Sequence, residues 1–161
     1  MVFKASLDGI AKVFSILFTL LLLSIVVWQI YIFYNTPQLN SVKAVLFLLA
    51  ILLVPYFYHP LNYHIEAEEV VIRRPFNKVL IRRSEIESVK MVDQQDMKGT
   101  LRSFGVAGLY GYYGRFSNLK IGSMLWYATQ RRNYILIQTK GSNTYILTPD
   151  KPNDFVQQLA I

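Results

Sequence analysis

The run VFSILFTLLLLSIVVWQIYIFY, Val13 to Tyr34, decides the fold: 22 residues pass without a charge. As a helix it is ~33 Å long, enough to cross a ~30 Å hydrocarbon core. A second run, AVLFLLAILLVPYFY, covers the 15 residues from Ala44 to Tyr58. It makes only ~22 Å of helix, but a start at Ser41 adds nearly a turn. The one charge this adds, Lys43, can snorkel to the interface. Between the runs lies NTPQLNS, Asn35 to Ser41, a polar turn containing Pro37. Two spans, at about 13–34 and 41–58, joined by so short a turn must run antiparallel, and a transmembrane helical hairpin is expected.

Two alternatives use the same residues. A secretory leader has an apolar region of ~7–15 residues and a small-residue cleavage site. Here the first run is longer, and Trp28, Tyr31, Phe33 and Tyr34 sit where cleavage would fall. A buried core helix suits the second run alone. Against both, Trp28, Tyr31, Tyr34, Tyr56 and Tyr58 lie near the run ends, where aromatic belts sit at membrane–water boundaries. Residues 1–12 read as the first turns of helix one.

Of 161 residues, about 100 remain for one small domain with its own core. No cysteine is present, which excludes disulfides and thiolate metal sites, and the two histidines, His59 and His64, are too few for a histidine-rich metal site. Residues 59–161 hold 14 Lys and Arg against 9 Asp and Glu, a net +5. The N-terminal tail adds Lys4, Lys12 and the amino terminus against Asp8, and the turn between spans offers only Lys43. Positive charge at both chain ends places both termini on the cytoplasmic side of the membrane. The expected division is a hairpin at 1–59 and a domain at 60–161.

Beyond Tyr58 the pattern changes. His59-Pro60 ends the helix, because the residue before proline is pushed out of the α region. Short β-branched and aromatic segments follow at Tyr63–Glu66, Val70–Arg74, Lys78–Arg83 and Ile86–Val92, with tight connections. A Gly-rich stretch, read as loop, runs from Gln94 to about Gly122. Met124–Thr129, Asn133–Lys140 and Asn143–Leu147 read as three more strands, the last two joined by a Gly141-Ser142 turn. PDKPNDFVQQLAI, residues 149–161, reads as a helix with Pro152 in its first turn, an Asp150 or Asn153 cap, and an apolar face of Phe155, Val156 and Leu159. The sum is an α+β plan: the hairpin, then a seven-stranded antiparallel bent barrel capped by a C-terminal helix.

The run RSFGVAGLYGYYGRFSNLKIGSMLWYAT, Arg102 to Thr129, with NYILIQTKGSNTYILTPDKPNDF after it, resembles a family of bacterial pleckstrin-homology-like (PH-like) domains. Members often carry two transmembrane helices ahead of the domain. The matching elements are Phe104-Gly105, Gly108, Gly111, Gly114-Arg115-Phe116, the Tyr127-Ala128-Thr129 strand end, and Thr148-Pro149-Asp150, Pro152 and Phe155. The resemblance implies the fold already reached from the strands. It implies binding or assembly, and no catalytic residues.

Two surfaces are candidate binding sites. One is an exposed aromatic loop with Phe104, Tyr110, Tyr112, Tyr113 and Phe116 among glycines every three residues, since tyrosine suits an interface half wet and half apolar. The structural alternative is that glycines permit tight bends while the aromatics fold back over the barrel end. The other is a basic face, with Arg73, Arg74, Lys78, Arg82 and Arg83 on two strands and their turn, and Arg102 and Arg115 further on. Beside an anionic leaflet each cation adds about 1 kcal/mol of attraction. Its alternative is a solvated face that only enforces topology.

Phosphoinositide binding is argued against: in the family resembled it uses a basic loop between the first two strands, and here that loop is Glu66-Ala67-Glu68-Glu69. No nucleic-acid-binding pattern occurs, nor HExxH, GxSxG or a P-loop, so no catalytic residue, cofactor or metal is expected. The expected function is a non-enzymatic, membrane-anchored module that recruits or assembles protein partners, or self-associates. Anionic-lipid sensing and a subunit role in a larger membrane complex are the alternatives.

Overall fold

The computed structural model describes residues 1–159. Strand β1 (Val2–Lys4) precedes two long helices, α1 (Gly9–Asn35) and α2 (Leu39–Tyr58). Then come β2 (Asn62–Ile65), β3 (Glu69–Arg73), β4 (Lys78–Arg82), β5 (Ile86–Val92), β6 (Leu101–Ala107) and β7 (Tyr112–Asn118). β8 (Gly122–Ala128), β9 (Tyr134–Thr139), β10 (Thr144–Leu147) and α3 (Pro152–Leu159) complete the chain.

The helices form because their residues are uncharged, apolar and largely unbroken. α1 starts where the Asp8 carboxylate accepts the Ala11 N–H at 2.7 Å, an N-cap. It ends where the Thr36 N–H bonds the Ile32 carbonyl at 2.8 Å. α2 tolerates Pro55 in its last turn and stops at extended His59 (φ −72, ψ 147), as the His59-Pro60 pair dictates. At about 40 and 30 Å, both helices are long and apolar enough to cross a bilayer. A core helix would be mostly buried. Within the most apolar 18-residue window of each helix, only 22% of α1 and 11% of α2 is buried. They form an antiparallel pair whose connection lies at the end far from the strands.

The strands make two sheets, ordered β1-β2-β3-β4 and β5-β9-β10-β8-β7-β6. Between them lies a core of Tyr63, Val70, Ile72 and Ile81 from the first sheet and Ile135, Ile137 and Leu147 from the second. α3 closes it, inserting Phe155 and Leu159 beside Phe3. A second cluster, with Phe116, Met124, Trp126, Tyr134 and Leu136, fills the second sheet and reaches Ala11 of α1.

Several expectations are corrected. The strands number ten among the described residues, not seven. The sheets stay open rather than closing a barrel, and β8 and β10 pair in parallel, so the second sheet is mixed. The Gln94–Gly122 stretch holds the paired strands β6 and β7 rather than one loop. Residues 2–4 are not helical: Phe3 faces Tyr63 across β1 and β2, because a buried Phe3 gains more in the core than as a helical lead-in. Asp150 caps no helix; its carboxylate takes the Ser6 N–H at 3.0 Å and hydroxyl at 2.6 Å. The proposed helix at 149–161 begins at Pro152, and its last two residues lie outside those described.

Tyr63 is fully buried, donates to the Tyr127 carbonyl at 2.6 Å and accepts the Thr148 N–H at 3.3 Å. Burial pushes its hydroxyl from 10.0 up to about 12. Folding therefore favours the neutral phenol. That contribution is whole below pH 10 and is lost as pH rises through about 12. Thermal melts between pH 9 and pH 12 should show a steep alkaline loss, flatter in Tyr63→Phe. A variant that loses stability as steeply as the parent would contradict it.

Candidate functional site

The domain is bolted to the base of the hairpin. The β6–β7 turn, residues 108–111, climbs α1: the Ser15 hydroxyl donates to Ala11 and Gly108 carbonyls at 2.6 and 3.3 Å and accepts the Tyr110 N–H at 2.8 Å. The Tyr110 hydroxyl lies 2.9 Å from that of Thr19, and its ring meets Tyr56 and His59 of α2's end. The β3–β4 turn hooks the end of α2, where the Phe76 N–H reaches the Phe57 carbonyl at 3.1 Å and its ring meets Phe57 and Tyr58.

Between these two attachments a cleft of about 690 Å³ opens. Val54, Pro55 and Tyr58 of α2 form one wall; residues 102–106 of β6 with Tyr113, Gly114 and Tyr127 form the other. Arg74 stands at the junction, its guanidinium 5.5 Å from the ring centres of both Tyr58 and Tyr127. Its Nε is buried with no hydrogen-bond partner among the described residues. The Tyr113 hydroxyl donates to the Pro55 carbonyl at 2.6 Å, and burial raises the pKa of Tyr113 and of Tyr127. The wall is bare where Gly105 and Gly114 face each other across β6 and β7. Both have strongly positive φ, 119° and 121°. A β-carbon on Gly105 would stand 2.2 Å from the Tyr113 carbonyl oxygen, and one on Gly114 2.3 Å from that of Phe104.

The aromatic set therefore divides, and the exposed loop expected for it is corrected. Tyr112, Tyr113 and Phe116 are buried: Tyr112 and Phe116 share one face of β7 and join the second core cluster, while Tyr113 on the opposite face packs against α2. Tyr110 is half-buried against the hairpin, and Phe104 alone is open, at 77% exposure. The basic set divides too. Arg73 and Lys78 pair across β3 and β4 near the turn that touches α2. Arg82 and Arg83 lie at the other end of β4, where Arg82 meets Glu85 at 3.5 Å and Arg83 bonds the Glu66 and Gln158 carbonyls. The acidic turn 66–68 shares that far end. Arg102 joins Arg74 at the cleft, whereas Arg115 faces Ser123 and Thr144 away from it.

Sequence reasoning did not find Tyr127, Val54 or Val106 as lining residues, and it read Tyr58 only as a belt aromatic. One signal was available: of the four polar residues in the first run, Ser15, Thr19, Ser24 and Gln29, the first two bond the domain.

Two long apolar helices fastened to a two-sheet module with a closing C-terminal helix define a strand-rich domain carried on a helical hairpin. A family model described as Bacterial PH domain matches residues 61–160, and the chain belongs to the bacterial PH domain family. No curated protein and no solved structure matches the chain.

Proposed function

We propose that this protein is a non-enzymatic PH-like module, anchored in a bacterial inner membrane by α1 and α2 with both termini cytoplasmic, that recruits a protein partner to the membrane surface. The observation that carries this is the free edge of β6. Seven residues long, it ends the six-stranded sheet with Leu101 and Phe104 at 73% and 77% exposure. The other outer strands are blunted. β1 is three residues long, β4 carries Lys78 and Arg82, and β5 carries Glu87 and Lys90 against α3. Charges and short length are how sheets protect edges from unwanted pairing. β6 has only Arg102, and an extended segment could add to it as a further strand. From Met97 to Pro149 the chain has no carboxylate, so the fitting partner strand is apolar and acidic.

A photo-crosslinking residue at Leu101 or Phe104 of the full chain, in its native membrane, should capture a second protein, while one at Lys140 should not. Phe104→Lys should abolish capture from position 101. Capture from position 140 but from neither edge position would refute the reading.

Anionic-lipid sensing is the second reading, favoured by Arg73, Arg74 and Lys78 at the end of the domain that touches α2. The acidic 66–69 turn between β2 and β3 lies at the opposite end, consistent with recognition that does not use it.

A further inference from the structure

We infer that the cleft between α2 and β6–β8 is a binding site for the phosphate of an anionic glycerophospholipid taken from the surrounding bilayer. The inference deepens the lipid-sensing reading and rests on α1 and α2 spanning the membrane.

The lining is amphipathic in the sense such a ligand requires. Arg74 and Arg102 bring two guanidinium groups, and no carboxylate lines the cleft. Neither arginine forms an ion pair among the described residues. A half-buried cation without a counter-charge is costly unless a ligand supplies one. The Arg74 Nε is the specific vacancy in hydrogen bonding: it is buried, unpaired, and belongs to a planar fork that matches a phosphate. The ring centres of Tyr58 and Tyr127 each lie 5.5 Å from that guanidinium. The rest of the lining, Val54, Pro55, Val106 and the Phe104 ring, suits the glycerol backbone and the first methylenes of an acyl chain. The volume, about 690 Å³, falls among small-ligand pockets, which run from ~300 to ~1,000 Å³.

Location selects the source. The α2 wall is the last two turns of an apolar helix, so the cleft opens where the hydrocarbon ends. A lipid reaches it by lateral movement without leaving the bilayer, whereas a soluble phosphate ester would leave the apolar half of the cleft in water. At the Gly105–Gly114 pair the β wall is bare backbone, between the side chains of Arg102, Phe104 and Val106.

The test is native mass spectrometry of the full chain released from nanodiscs of equal phosphatidylglycerol and phosphatidylcholine. One retained phosphatidylglycerol per chain is expected. Arg74→Gln/Arg102→Gln should lower its preference over phosphatidylcholine by about tenfold or more, since two charge-assisted contacts are lost. Arg82→Gln/Arg83→Gln, equal in charge change but remote, should not. Val106→Trp fills the cleft without altering charge and should displace the lipid at unchanged melting temperature, which covers the case of an arginine variant that misfolds. Displacement of the lipid by millimolar glycerol phosphate would overturn the lipid source. Equal retention by the Arg74/Arg102 and Arg82/Arg83 pairs would overturn the site, as would no retained lipid in a protein that still needs detergent. Recovery of the protein in aqueous buffer without detergent would instead overturn the membrane reading.

Discussion

Gly114→Ala should destabilise the domain by about 3 kcal/mol or more, lowering its melting temperature by about 12 °C or more at ~4 °C per kcal/mol. Two effects add. A φ of +121° costs an L-residue about 1–3 kcal/mol by itself. The new methyl would also stand 2.3 Å from the Phe104 carbonyl oxygen and 2.7 Å from the Gly105 Cα. Both are backbone atoms of the facing strand, so no side chain can swing aside; β6 must move off β7. That motion pulls on the 108–111 turn and the Ser15 and Thr19 bonds that hold the hairpin. Gly141→Ala is the matched control, because a β-carbon there meets nothing within 4 Å. Melting of the detergent-solubilised full chain by near-UV circular dichroism decides it. A Gly114→Ala protein that melts within a few degrees of the parent would show that the two strands are not so close.

The same glycines explain where sequence reasoning stopped. Strands β2 to β5 and β8 to β10 were legible because β-branched and aromatic residues stand between obvious turns, and each lies within a residue or two of its expected place. β6 and β7 were not. Gly105, Gly108, Gly111 and Gly114 read as punctuation, since glycine is normally depleted in strands. Here Gly105 and Gly114 are paired inside a ladder, and the aromatic alternation around them was the overlooked strand signal. β1 was hidden for another reason. Three residues cannot show a period, and the partner strand β2 lies beyond both helices, about 60 positions away in sequence.

The candidate site was legible as chemistry but not as grouping. Arg74, Arg102 and Phe104 were each singled out, yet they come from a turn and a strand that only the tertiary fold brings to one cleft. Tyr112, Tyr113 and Phe116 looked equivalent to Phe104 because composition cannot tell which face of a strand is covered. The two long apolar helices, in contrast, were legible in the local sequence: helix length and charge content need no knowledge of distant residues.

Asp8→Ala should be the second large effect, at about 3 kcal/mol, and should loosen the hairpin from the domain rather than unfold either. One Asp8 carboxylate oxygen caps α1 through Ala11 N–H at 2.7 Å, and the other takes the Arg131 N–H at 3.1 Å. The Tyr112 hydroxyl donates to both, at 3.3 and 3.1 Å. The Asp8 N–H adds a bond to the Thr129 carbonyl at 3.2 Å, and the Arg131 guanidinium lies 4.7 Å from the Tyr112 ring centre. Removing the cap costs about 1 kcal/mol. Stranding the part-buried Tyr112 hydroxyl without its charged acceptor costs about 1–3 kcal/mol more, whereas water takes the exposed Arg131 N–H. Asp8→Asn separates the two terms: its amide oxygen still caps, but it lacks the second acceptor and the charge, so roughly half the loss should return. Because β1 lies ahead of this joint, a loosened joint should expose residues 4–9 to protease while leaving helical content unchanged. Wild-type protease resistance in Asp8→Ala would mean that β1 and the 108–111 turn hold the hairpin without it. The carboxylate would then be a helix cap and nothing more.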